Sequence, residues 1–116
     1  MTANDQHIKH LELARTIMLR VQALTLECVT CGDHMLAGDD VTAERLARAA
    51  WTECEDLRQR AKALPMDEPF QTTFTQLQEL NDYARDWIEM ASVSQSKREM
   101  RAGRASATAD TTRNLL

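Results

Sequence analysis

Proline and glycine are scarce in this 116-residue chain, at two and three residues, and aromatic residues make up only 4%. So few punctuating residues exclude a fold of many short strands, because each tight turn draws on residues that preset or relax φ. No stretch alternates apolar and polar residues with period two, so nothing reads as a strand. No apolar run approaches the ~18 residues of a membrane span. The first ten residues, MTANDQHIKH, are polar, and no apolar h-region follows a basic start, so no signal peptide is expected. Three cysteines, an odd number, without a secretory signal point to reduced thiols and a cytoplasmic location.

Charge is present in both signs and is unevenly placed. The chain carries a net −4. Residues 97–116 hold five cations (Lys97, Arg98, Arg101, Arg104, Arg113) against two anions (Glu99, Asp110), a net of +3. Residues 1–96 hold nine cations against sixteen anions, a net of −7. An acidic body disfavours nucleic acid, whose binding draws on neutralised phosphates. The basic end reads as a flexible, solvated tail.

What the chain has in quantity is helical periodicity. Ala14, Ile17, Val21, Leu24, Cys28, Cys31 and Met35 form a three-four seam, the spacing of a packed helix stripe. Leu11, Met18, Thr25, Val29 and Leu36 make a second flank beside it. A first helix over about 5–37 is predicted, with Gly38 supplying a left-handed C-terminal turn and Gly32 a point where the helix could kink. A second is predicted over about 40–64, after the acidic start Asp39-Asp40. Its seam is Ala43, Ala47, Ala50, Cys54, Leu57, Ala61 and Leu64, mostly small residues that allow close approach. The short link between these seams argues for a long antiparallel hairpin. A third helix is predicted over about 69–95, opening at Pro69 and fraying in the serine-rich run from Ser92 to Ser96. Phe70, Thr73, Phe74, Leu77, Leu80, Ala84, Trp87, Ile88 and Ala91 form its inward face. The expected fold is all-α: one helical domain over 1–96 and a disordered tail over 97–116.

Three constellations invite chemistry. Cys28, Cys31, His34 and Cys54 supply four potential metal ligands in a Cys-x2-Cys-x2-His-x19-Cys pattern. On one continuous helix Cys28 and His34 point about 120° apart, and both cysteines sit in the core seam, where a thiol acts as a small hydrophobe. A redox CxxC would open a helix after a strand, and this one comes late in a helix. His7 and His10 are spaced for a metal but lie in a polar, solvated segment. Arg15, Arg20, Arg45, Arg48 and Arg58, with Glu27 as an acid, could be arranged as in the intertwined three-helix chorismate mutases. The arginine and lysine spacing of those enzymes is missing. No catalytic, cofactor or metal site is therefore expected.

Surplus apolar surface is the better lead. Leu19 and Leu26, seven apart and with Ile8 roughly above them, lie outside the seam and have no place in a simple two-layer packing. An exposed apolar stripe marks an interface. Leu19 and Leu26, with Met18, Gln22 and Val29, are the expected partner-binding residues, serving a homodimer or a foreign protein.

The stretch LTLECVTCGDHMLAGDDVTAERLARAAWTECEDLRQRA, within an overall pattern covering residues 5–95, resembles the small helical QslA-type quorum-sensing antiactivators of pseudomonads. That resemblance implies a protein that binds a LuxR-type transcription activator at its ligand-binding domain and blocks its dimerisation and DNA binding. It assigns no contact residues.

Overall fold

A computed structural model describes residues 2–115, with side chains described up to Arg101. It is all-α, and no strand occurs among the described residues. Helix α1 spans Ala3–Leu36, α2 spans Asp40–Ala61 and α3 spans Gln71–Leu115. At 1.5 Å per residue, α1 is a rod about 50 Å long.

The helix ends follow from local chemistry. Thr2 caps α1 by accepting from the Asp5 amide, and the Asp5 carboxylate accepts from the Thr2 amide. This reciprocal box places the helix start earlier than the seam alone suggests. At the other end Gly38 has φ +82°. The Gly38 amide donates to the Met35 carbonyl at 3.0 Å and the Asp39 amide to the His34 carbonyl at 2.8 Å. That pair of bonds is a Schellman closure, and it reverses the chain within three residues. Asp39 then caps α2 by accepting from the Thr42 amide.

α1 and α2 form the expected antiparallel hairpin, and α3 packs along both. Its direction is set by two distant contacts. Phe70, just before α3, meets the rings of His7 and His10 at the start of α1, with centroids 6.1 and 6.0 Å apart. Arg98, late in α3, donates to the carbonyl of Gly38 beyond the end of α1. α3 therefore runs parallel to α1 and antiparallel to α2. The core between them takes Ile17, Val21 and Leu24 from α1, Ala50, Cys54 and Leu57 from α2, and Leu77, Leu80 and Ala84 from α3. Further along, Cys31, Ala43, Ala47 and Ala91 continue it with small side chains.

The two helix ends flanking the α2–α3 linker differ from the sequence expectation. α2 ends at Ala61, and Leu64 and Phe70 anchor the linker into the core from outside any helix. α3 starts at Gln71, two residues after Pro69. α1 continues unbroken through Gly32, whose missing side chain makes room for Trp87: a Cβ there would come within 3.2 Å of the indole.

The serine-rich run also stays helical, because α2 supplies partners for it. Ser92 Oγ donates to Glu44 Oε1 at 2.8 Å, and Gln95 Nε2 donates to Glu44 Oε2 at 3.0 Å. Lys97–Arg101 continue α3. The remainder of the predicted tail, 102–116, lies outside the described side chains.

Arg98 adds an ion pair of unusual placement. Its Nε stands 3.2 Å from Oδ2 of Asp40, a side chain only 2% exposed. The contact is not aligned as a hydrogen bond, and neither Asp40 oxygen has another donor. A buried carboxylate held by a single cation depends on it. Arg98→Ala is expected to cost about 1–3 kcal/mol, since it strands that carboxylate. Adding Asp40→Asn to the same chain should recover part of the loss. Urea unfolding followed by circular dichroism checks both, and a double variant no more stable than Arg98→Ala would sink the explanation.

Candidate interaction surface

The 3.6-residue period places every side chain of α1 at a known angle. The buried seam of Ala14, Ile17, Val21, Leu24, Cys28 and Cys31 occupies one side. Ile8, Leu19 and Leu26 stand about 180° from it by that geometry. Leu19 is 56% and Leu26 69% exposed, and Ile8 is exposed as well. Their exposure is a direct consequence of register, because neither α2 nor α3 reaches the far side of the rod.

The flank between seam and strip is apolar too. Leu11, Val29 and Leu36 are exposed, Met18 is half-buried and Gln22 is exposed. The five residues singled out from the sequence thus lie together on one accessible side of α1. They also border a feature that the seam arithmetic does not reveal. α1 and α3 diverge enough to leave a groove of about 640 Å³. Gln22, Thr25 and Leu26 line its α1 wall, and Gln76, Glu79 and Tyr83 its α3 wall. Tyr83 packs edge-on against Trp87, with centroids 6.2 Å apart. The heptad spacing Gln76, Tyr83, Met90 was the available signal for this second wall. Met90 and Val93 extend it as exposed apolar residues.

The thiol constellation resolves into core. Cys28, Cys31 and Cys54 are fully buried and unpaired by any disulfide. Cys31 Sγ donates to the Ala43 carbonyl at 3.5 Å, and Cys54 Sγ to the Leu77 carbonyl at 3.4 Å. His34 instead lies 3.8 Å from the Asp39 carboxylate. Among the described residues no three His, Cys, Asp or Glu side chains are grouped to hold a metal ion.

Burial pushes the Cys28 and Cys54 thiols up to about 11, and raises Cys31 as well. A thiol so far above neutral pH contributes almost no thiolate. In native protein at pH 7.5, a disulfide reagent such as DTNB should therefore react with none of the three within minutes. All three should react at once in denaturant. Rapid native labelling of one thiol would reinstate a reactive cysteine.

Three of the five arginines considered for a dicarboxylate clamp are paired with carboxylates. Arg20 grips Glu53 through two bonds of 2.6 Å, tying α1 to α2. Its hydrogen bond is the main reason that the Glu53 carboxyl lies below its ordinary value. Arg48 pairs with Glu44 and Arg58 with Glu55 along α2, while Arg15 and Arg45 are exposed.

No helix among the described residues is long and apolar enough to cross a membrane. Searches with the chain returned no matching family model, no matching curated protein and no matching solved structure.

Proposed function

We propose that this chain is a non-catalytic regulatory protein of the cytoplasm that captures a transcription activator, of the LuxR quorum-sensing receptor type, and blocks its dimerisation and DNA binding. The observation that carries the reading is the apolar strip of α1 directly opposite its own core. Water-exposed leucines at a seven-residue interval stabilise nothing within one chain, and they gain free energy only when a second surface covers them. A rod about 50 Å long, bordered by a groove, offers room for the ~800 Å² per partner of a specific interface. Tyr83 and Met90, at its edge, are residue types favoured at such centres.

Competition is the natural mode of action. A receptor that dimerises through an apolar patch loses that patch to any helix face binding it more tightly. In the absence of receptor the strip pairs with a second copy of this chain as a homodimer. Co-expression with the ligand-binding domain of a LuxR-type receptor tests the reading. The two proteins should co-elute, and added chain should convert dimeric receptor to a complex that no longer shifts promoter DNA. A receptor that stays dimeric and DNA-bound at saturating chain would overturn the proposal.

A further inference from the structure

Besides its buried seam, α1 carries a second one on the side turned away from the core. Arg15, Leu19, Gln22, Leu26, Val29 and Asp33 follow one another at alternating intervals of four and three. Ile8 and Glu12 extend the series at one end and Leu36 at the other. Every one of these positions is exposed. An unbroken four-three alternation is the spacing of a coiled-coil seam. Such a line drifts by ~20° per heptad around a straight helix, which two helices absorb by winding left-handedly about each other. The buried seam serves the fold of one chain, and the second seam has the form of a helix-pairing surface.

The charges within this strip select its occupant. Arg15 and Asp33 lie about five whole turns apart, at the same helix angle, with Leu19, Leu26 and Val29 between them. The ion pairs among the described residues involve neither of the two. An apolar stretch with one charge of each sign at its two ends is complementary to itself when turned end for end. A second copy laid antiparallel meets Arg15 with its own Asp33, and the two-fold axis repeats the contact at the other end. The same register sets Leu19 against Val29 and Gln22 against Leu26, so every layer pairs one seam position with its alternate, as antiparallel coiled coils do.

We propose that this strip is the seam of an antiparallel homodimer, closed at both ends by Arg15–Asp33 pairs between the copies. Other arrangements of the same surface are penalised. A parallel pair sets Arg15 against Arg15 and Asp33 against Asp33. A shift by one heptad sets Arg15 against Leu26 in one direction, and in the other carries it past the end of the second α1 at Leu36. Charges placed to punish wrong registers are a common source of specificity in paired helices. The dimer covers Leu19 and Leu26, so self-association and capture of a foreign protein by those residues exclude each other. The inference rests on the reading of the strip as an interface, and not on the identity of the receptor.

Sedimentation of the full chain without receptor tests it. The parent should be a dimer that dissociates on dilution. Arg15→Glu alone and Asp33→Arg alone each put two like-charge pairs in place of two opposite ones, and each should weaken the dimer at least about tenfold. Both changes in one chain restore the pairs with their signs reversed, and affinity should return to within about threefold of the parent. An equimolar mixture of the two single variants should form a heterodimer, because each copy then supplies the charge that the other needs. Both positions are exposed, so helicity by circular dichroism should be unchanged throughout. A parent that stays monomeric at millimolar chain, single variants that dimerise as the parent does, or a swapped chain no tighter than the single variants overturns the inference. A monomeric parent that still captures receptor sinks the dimer alone, whereas a charge-rescued dimer whose chain ignores the receptor upholds the dimer and sinks only the receptor reading.

Discussion

Leu24→Ala should lower the free energy of unfolding by about 2–5 kcal/mol, while Leu26→Ala, two residues further on, should cost less than about 0.5 kcal/mol. The two side chains are chemically identical and belong to the same helix. Leu24 is 1% exposed and packs in the core shared by all three helices. Its truncation removes apolar contact and leaves a cavity that the small α2 residues facing it cannot fill. Leu26 points into water at the lip of the α1–α3 groove, so its truncation removes surface that was never covered. Urea unfolding of both variants, with unchanged slopes, measures the difference. Equal costs would mean that Leu26 is covered by another chain under the conditions of the measurement, and a lower protein concentration should then separate the two.

The second large effect concerns binding. A chain with both Leu19→Glu and Leu26→Glu should lose at least about 100-fold in affinity for the proposed receptor while melting within a few degrees of the parent. Covering two carboxylates with an apolar surface costs several kcal/mol unless each finds a partner, and ~2.7 kcal/mol already corresponds to 100-fold. In the folded chain both positions are exposed, so glutamate there meets water. Size-exclusion chromatography with receptor measures capture, and circular dichroism measures folding. Undiminished capture by a well-folded double variant would place the binding surface elsewhere. Loss of self-association together with loss of capture would show that one strip serves both.

These two expectations rest on a distinction readable from residue spacing alone. Ile17, Val21 and Leu24 recur at intervals of three and four, as do Ala43, Ala47 and Ala50, and all six are buried. Leu19 and Leu26 fall outside that register and are exposed. Periodicity succeeds here because helix geometry is rigid: a residue number fixes an angle, and a seam of apolar angles must be covered. Gly38 was legible for a similarly local reason, since a helix that must turn back at once needs a residue tolerant of positive φ.

Positions whose state depends on a distant partner were not legible. Ser92 and Gln95 lie in a run of weak helix formers, yet Glu44, about fifty residues away in sequence, holds them in α3. Asn81 is polar and buried, and Asp40 is charged and buried, because neighbouring helices cover them regardless of their own preference. The Arg20–Glu53 bridge could not be chosen in advance from among the many pairings that charged helix faces allow.

Helix positions, the hairpin and the seams of α1 and α2 are thus properties of the chain read residue by residue, because they depend on interactions over three or four positions. The side of the hairpin on which α3 lies, its continuation past the serines and the α1–α3 groove were decided only when the helices packed together. Each of these depends on surfaces brought together from far apart in the sequence. Local periodicity states how much apolar surface must be hidden, but not which neighbour hides it.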